Sequence, residues 1–207
     1  LTAQRDIRTD APTTDDLFVV GTVCTVKQIL RLPGDNIRVL VEGSYRAGVE
    51  QFSKEDDGCM RARVFRMETE PGRVSERRKE ALVRALQDRF EEYAGLASQI
   101  TNDVVMTVLD GGEPGYLADY VAQNTPLAYE TKQELLEELH DVRRLERVVR
   151  VLGHEIEILQ IENSIQDKLK EQIDKNQKEY YLREQMHIIS EELGDSEDTR
   201  AEADTYR

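Results

Sequence analysis

The fold is decided first by residues 19–42, which read VVGTVCTVKQILRL, then PGDN, then IRVLVE. The first part is rich in Val, Thr and Ile, and in the last part Ile37, Val39 and Val41 alternate with the residues between them. The segment PGDN contains a glycine and an asparagine, which tolerate the positive φ of a tight turn. The stretch therefore predicts an antiparallel hairpin with one face buried.

Two further short strands are predicted over residues 45–52 and 60–67, on either side of a polar segment. Four strands in about 70 residues make a small sheet, which needs more strands or a helix to cover its apolar face. The chain begins with Leu1, without an initiator Met or the layout of a signal peptide. We therefore expect a piece of a longer protein, whose missing strands precede Leu1.

Beyond Pro71-Gly72 the β-branched residues become fewer, and Glu, Gln, Leu, Lys and Arg dominate. Helix caps and one-turn apolar spacing predict several helices in this part. They are a helix capped by Ser75 and ending near Gly95, helices over about 102–109 and 114–123, and a helix beginning at the capping box Thr131–Glu134.

The stretch from Val142 to Leu193 contains no proline and only one glycine, Gly153. At 1.5 Å per residue it predicts a helix of roughly 78 Å, far longer than the usual globular helix. Apolar residues with 3,4 spacing occupy 142–159, and a drifting seam continues as far as Ile173. We expect the first part to pack in a helical bundle and the later part to project or to pair with something else.

These patterns together predict an α+β chain: a small, incomplete antiparallel β subdomain, then a helical bundle with one very long C-terminal helix. The predicted divisions are 1–72 for the sheet, 73–141 for the bundle, 142–194 for the long helix and 195–207 for a mobile tail.

The chain carries 42 acidic and 28 basic side chains, a formal net charge of -14, and almost all of the excess lies after residue 72. Repulsion by phosphate makes such a chain a poor partner for nucleic acid and for anionic membranes. No apolar run is long enough to span a membrane. The largest basic set, Arg143, Arg144, Arg147 and Arg150, lies among acids and predicts surface ion pairs.

The motifs of ATP binding, metal binding and nucleophilic catalysis are absent from the sequence. No glycine-rich loop carries the lysine of a phosphate cradle. His154-Glu155 begins like a zinc motif, but Ile158 occupies the place of the second ligand. Cys24 and Cys59 lack a nearby histidine and are expected to be buried small residues in a reducing compartment. We therefore expect no catalytic, cofactor or metal residues in this chain.

Binding is the function that remains to be considered for the unassigned apolar residues. The candidate protein-binding residues are Phe52, Phe65 and Met67 on the sheet, and Tyr180, Tyr181, Leu182, Met186, Ile188 and Ile189 near the end of the long helix. The sheet residues fit the core equally well, and for the helix residues packing within a longer protein or a coiled coil is the favoured interpretation.

Several motifs resemble those of one family. They are VGTV (20–23), LRLPG (30–34), RVLVEGSYRA (38–47), EPGYLAD (113–119), KQELL (132–136), QKEYYLREQM (177–186) and ELG (192–194). In this order they resemble the N-terminal region of Lon, the ATP-dependent serine protease, over nearly the whole chain. The family's opening strands are absent here, and Ser44-Tyr45 and the segment 188–190 depart from its common residues.

The resemblance implies a PUA-like sheet, a bundle and a long helix that leads to an ATPase module. It also implies a cytoplasmic hexamer that recognises unfolded or damaged proteins and degrades them with ATP and magnesium, the motifs for which would follow Arg207. For this chain we predict a non-catalytic role in substrate recognition and oligomer support. The alternative is a coiled-coil spacer that sets ring geometry without contacting substrate.

Overall fold

The computed structural model describes residues 1–34, 36–54, 59–70 and 74–192. The chain forms two compact units, Leu1–Ile156 and Glu157–Arg207. The predicted divisions near residues 72, 141 and 194 stay predictions, and the predicted tail 195–207 lies outside the described residues.

The first unit begins with a short 3₁₀ helix, Thr14–Asp16, and a sheet. Its strands are β1 (Val20–Arg31), β2 (Ile37–Lys54) and β3 (Met60–Arg66), antiparallel in the order β1-β2-β3. The prediction of separate strands over 37–42 and 45–52 is wrong, because both belong to β2. Ser44, which lay in the gap, is the extra residue of a β-bulge: Val23 pairs with Tyr45, and Cys24 pairs with Gly43.

The prediction that one face of the β1–β2 hairpin is buried is also wrong near its turn. Ile29 is 61% exposed, and Ile37 and Val39 are 62% and 46% exposed. Burial is found instead at the base of the hairpin, where Val20 and Ala47 lie in the core. The Gln133 side-chain amide donates a hydrogen bond to the Val20 carbonyl at 3.0 Å, which fixes this base to the helices. Alternation predicts which residues share a face, and the neighbouring elements decide whether that face is covered.

In the part of the chain that the structure describes, five helices follow the sheet: α1 (Glu76–Leu96), α2 (Asn102–Leu109), α3 (Pro114–Asn124), α4 (Tyr129–Glu137) and α5 (Asp141–Glu192). The Ser75 hydroxyl caps α1 by accepting a hydrogen bond from the Arg78 backbone N–H at 3.4 Å. Pro114 begins α3 at a position where its missing N–H costs nothing. The sequence therefore predicted the existence of every described α-helix, and the bounds of most of them within one or two residues, but not the short 3₁₀ helix Thr14–Asp16.

The start of α4 differs from the prediction. The helix begins at Tyr129 with Ala128 as its N-cap, so Thr131 lies inside the helix and the predicted capping box does not form. The Lys132 N–H already donates to the Ala128 carbonyl at 3.0 Å. The helix has therefore begun before Thr131, and Thr131 cannot be its N-cap. Glu134 instead accepts a hydrogen bond from Arg147 at 2.8 Å.

The core of the first unit lies among the four helices α1 to α4 and the first turns of α5. Its apolar side chains that are 0% exposed are Leu86, Phe90, Val108, Leu117, Ala118, Val121, Leu145 and Leu152. In α1 the predicted one-turn spacing is confirmed, because Leu86, Phe90 and Tyr93 are all buried. Gly153 does not interrupt α5, which has 52 residues in total.

Candidate functional site

An apolar cleft of about 310 Å³ lies on one face of the sheet. Its side-chain lining comes from all three strands and includes Val23, Val49, Phe52, Met60, Ala62 and Val64. Met60, Ala62 and Val64 reach the same face because side chains in a strand alternate. We call this surface the sheet cleft. The lining is mostly aliphatic, with one aromatic ring and with Arg61 as its charged residue, so most of the cleft suits an apolar chain segment.

The first residues of the chain lie beside the sheet cleft. The Leu1 amino group donates to the Thr22 carbonyl at 2.8 Å, and the Thr22 N–H donates to the Leu1 carbonyl at 2.8 Å. The Phe18 N–H similarly donates to the Ala3 carbonyl. Leu1 and Thr2 thus run antiparallel to the start of β1 and form one wall of the cleft. At this point the edge of β1 is therefore paired with the chain's own first residues.

The three predicted binding residues of the sheet lie in different places in the structure. Phe52 is half-buried and lines the sheet cleft. Phe65 lies directly opposite Gly48, is 55% exposed, and covers the glycine with its ring. Val64 and Phe65 are successive residues of a strand, so Phe65 faces away from the cleft. Met67 follows β3, and its backbone N–H donates to the Arg46 carbonyl at 3.0 Å.

The other predicted residues lie in the second unit, where every described residue from 157 to 192 is at least partly exposed. Tyr180, Tyr181, Leu182, Met186, Ile188 and Ile189 are 48–72% exposed, as the binding interpretation requires. Five further apolar residues, the helix stripe, precede them at intervals of three or four. They are Ile158, Ile161, Ile165, Leu169 and Ile173.

A cluster of three charged side chains connects β2, α3 and α5. The Arg46 guanidinium contacts both oxygens of the Asp119 carboxylate, at 3.0 and 2.5 Å. Arg144 Nε lies 3.0 Å from Asp119 Oδ1, although its angle is too poor for a hydrogen bond. Two backbone carbonyls complete the cluster, because Leu136 accepts from Arg46 at 3.0 Å and Glu138 accepts from Arg144 at 2.6 Å.

The prediction of surface ion pairs is wrong for Arg144, which is only 1% exposed. Burial lowers the pKa of its guanidinium, and the nearby Asp119 carboxylate opposes that change. Gly115 lies against it, since a Cβ there would be 2.9 Å from Arg144 Nη2. The prediction is confirmed for Arg147, whose guanidinium meets Glu134 at 2.8 Å on the surface. Sequence spacing could not separate the two arginines, because only the packing of α3 against α5 buries one of them.

This charge cluster has the character of a structural junction rather than a reaction centre. Asp119 is held between two cations, and each guanidinium also bonds a backbone carbonyl. Among the described residues, no group of three or more His, Cys, Asp or Glu side chains could hold a metal ion. No described helix is long and apolar enough to cross a bilayer.

The family model for the "ATP-dependent protease La (LON) substrate-binding domain" matches residues 1–154. The chain belongs to the Lon family. The resemblance in the sequence motifs is thereby confirmed, and the matched residues contain both the sheet cleft and the charge cluster.

The curated Lon relatives match along the whole chain. A Lon protease of Brevibacillus choshinensis is 38% identical over 207 residues, which are 100% of this chain and 26% of that protein. A Lon protease of Clostridioides difficile is 40% identical over 210 residues, again 100% of this chain and 27% of that protein. The chain thus spans about a quarter of the length of the curated relatives it matches.

A solved structure agrees with the fold. The N-terminal domain of Mycobacterium avium complex Lon protease is 20% identical, with a TM-score of 0.54 over 70% of this chain and 74% of that chain. The α+β prediction, with a small antiparallel sheet before helices and a long last helix, is confirmed by this similarity and by the described elements.

Proposed function

We propose that this chain is a non-catalytic substrate-recognition region of a Lon-like ATP-dependent serine protease, and that the sheet cleft holds apolar segments of unfolded proteins. The cleft carries the proposal: it is an open, apolar surface inside the residues that match the family's substrate-binding domain. Unfolded chains expose the apolar side chains that folded proteins bury, so such a surface distinguishes the two.

The shape of the site suits an extended segment. The chain's own Leu1 and Thr2 lie extended against the β1 edge beside the cleft, which supports the proposal that this surface accommodates extended backbone. In strand addition, backbone hydrogen bonds supply affinity without regard to sequence, while pockets accept alternate side chains. Each Å² of apolar surface removed from water contributes about 25 cal/mol. A shallow apolar cleft therefore favours weak, sequence-tolerant binding.

The properties of the whole protein belong to the same proposal. We infer that the full-length protein binds ATP and magnesium through its remaining residues, forms a hexamer, and acts in the cytoplasm on unfolded or damaged proteins. Its relatives are named Lon proteases, and this chain corresponds to about a quarter of them.

A second candidate function is a spacer that sets the geometry of the oligomer through the long helix. The helix stripe favours it, because five apolar side chains on one helix are exposed within the second unit. The cluster from Tyr180 to Ile189 is exposed in the same way and fits either function, substrate contact or pairing of helices.

Peptide binding to matched variants tests the recognition role. A fluorescent, permanently unfolded casein fragment is titrated with the chain and with Phe52→Ser and Phe65→Ser, and anisotropy is measured. We expect Phe52→Ser to weaken binding about tenfold, since a tenfold change equals about 1.4 kcal/mol and the ring lines the cleft. Phe65→Ser is the control, because its ring lies on the other face of the sheet.

Circular dichroism of both variants verifies that the fold is retained. Equal affinity of the chain for the unfolded casein fragment and for a folded control protein would contradict the recognition role. A larger loss with Phe65→Ser than with Phe52→Ser would move the site to the opposite face of the sheet.

A further inference from the structure

A second cleft, of about 540 Å³, lies where the β-bulge of β2 meets α3 and α4. Parts of three segments that are distant in the sequence line it: 43–46 of β2, 119–123 of α3 and 129–136 of α4. Its apolar lining includes Ala122, Leu135 and Leu136. We call this surface the basic cleft. Its volume is in the range of sites that hold a small molecule or part of a chain segment.

The charges at the basic cleft sum to a positive value. Its charged lining residues are Arg46, Asp119 and Lys132. The Asp119 carboxylate is already shared between Arg46 and Arg144, so these two cations and one anion leave a single positive charge. Lys132 adds a second positive charge. In a chain whose formal net charge is -14, this local excess of positive charge favours an anionic ligand.

Lys132 brings an ammonium group to the basic cleft. Its side chain is half-buried, and no described carboxylate forms an ion pair with it. Two acidic side chains further along α4 have other partners: Glu134 binds Arg147 at 2.8 Å, and Glu137 accepts a hydrogen bond from Gln133 at 2.9 Å. A half-buried ammonium group has lost part of its hydration, so an anion that enters the cleft stabilises it.

Further hydrogen-bond donors line the same cleft. A guanidinium has five N–H groups, and Arg46 uses three of them on Asp119 and on the Leu136 carbonyl, which leaves two for another acceptor. Ser44 is the extra residue of the β-bulge, so its backbone N–H lacks a partner in the described ladder. Its side chain is exposed. The cleft therefore combines donors and positive charge with an apolar wall.

We propose that the basic cleft binds a carboxylate group of a polypeptide, with Lys132 as its counter-charge and with Ala122 and Leu136 in contact with the adjoining apolar part of the segment. A carboxylate suits the cleft better than a phosphate, because Asp119 lies in the same lining and repels a doubly charged group more strongly. The carboxylate is a chain terminus or an acidic side chain. The inference rests on the recognition function proposed above and adds a site separate from the sheet cleft.

Anisotropy of three labelled peptides tests the preference for a carboxylate. Each is a short peptide of alternating valine and serine with N-terminal tetramethylrhodamine. The first ends in a free carboxylate, the second ends in an amide, and the third is the amide with one internal glutamate. We expect the first to bind the 207-residue chain about five- to tenfold more tightly than the second. The third distinguishes the two sources: if it binds like the first, the site accepts any carboxylate, and if it binds like the second, the site accepts chain termini.

A matched set of lysine variants tests the residue. Lys132→Gln removes the charge and is expected to lower the affinity for the carboxylate peptide about five- to tenfold, to that of the amide. Lys132→Arg keeps the charge and is expected to keep the preference. Lys170→Gln is the control, because it changes the net charge equally at an exposed position of the second unit. Circular dichroism verifies that each variant is folded.

Equal affinity of the unsubstituted chain for the carboxylate and amide peptides would overturn the site, and so would an equal loss with Lys132→Gln and Lys170→Gln. Casein binding and its dependence on Phe52 are measured on the same samples. If that dependence is found while the carboxylate preference is absent, only this site is contradicted. A chain that binds neither casein nor any of the peptides contradicts the recognition function as well.

Discussion

The two parts of α5 have the same kind of sequence pattern and opposite environments. Before residue 157, the apolar positions Val142, Leu145, Val148, Leu152 and Ile156 are all buried. After it, the helix stripe has the same spacing of three and four residues, and within its unit each of its members is exposed. The difference shows that an apolar repeat identifies the face that a helix can bury, whereas the neighbouring elements decide whether that face is buried.

The most sensitive test of this contrast is a pair of cavity-forming substitutions. Leu152→Ala removes a side chain that is 0% exposed and is expected to lower the free energy of unfolding by about 2–5 kcal/mol. Ile165→Ala, at a position that is 52% exposed, is expected to change it by less than about 0.5 kcal/mol. Urea unfolding, at a protein concentration too low for self-association, measures both. Equal losses would mean that Ile165 is buried in the monomer.

The charge cluster gives the next largest effect. Asp119→Asn removes the carboxylate between Arg46 and Arg144, and the buried guanidinium of Arg144 then loses its counter-charge. We expect a loss of about 1–3 kcal/mol in urea unfolding, the usual cost of a buried group without its partner. The control is Glu171→Gln, which removes an exposed ion pair with Lys175 in the later part of α5. It is expected to cost less than about 0.5 kcal/mol.

If Asp119→Asn costs no more than this control, the cluster is not a junction between the sheet and the helices. A partial rescue by Arg144→Met in the Asp119→Asn background would support the assignment, because an apolar side chain there needs no counter-charge.

Replacing either of two glycines by alanine is expected to change stability, in opposite directions at the two positions. A Cβ at Gly115 would lie 2.9 Å from Arg144 Nη2 and 3.2 Å from Asp141 Cβ, so Gly115→Ala is expected to lower stability by about 1–3 kcal/mol. A Cβ at Gly153 would meet nothing within 4 Å, and Gly153→Ala is expected to raise stability by up to about 1 kcal/mol, because alanine favours a helix. Thermal unfolding of both variants checks the signs, and a destabilising Gly153→Ala would reveal a constraint on α5 at that point.

The sequence predicted local features of the fold well and long-range ones less well. The helix capped by Ser75, the helix over 102–109 and the 52-residue length of α5 follow from caps, breakers and propensity, which act over a few residues. The bulge at Ser44 appeared in the sequence as a gap between two strands, since an extra residue is recognisable only against the paired strand.

Prediction of the candidate site divides in the same way. The sequence indicated Phe52, Phe65 and Met67 as one group because all three are apolar and close along the chain. Strand alternation and the pairing of β2 with β3 place only Phe52 in the sheet cleft, and the role of each of them in binding stays a proposal. The sequence did not distinguish Arg144 from the three other arginines near it. The burial of Arg144 depends on Asp119 and Gly115, which are more than twenty residues distant along the chain.

What the sequence by itself determined is the class of fold, the family resemblance, the long helix and its apolar repeat, because each depends on neighbours along the chain. Only the tertiary structure decided which faces are covered: the base of the hairpin and the first turns of α5 are buried, whereas the sheet cleft is open and the helix stripe lies exposed within its unit. The physical reason is that the hydrophobic effect acts on surface removed from water, and the area removed depends on which elements meet in space.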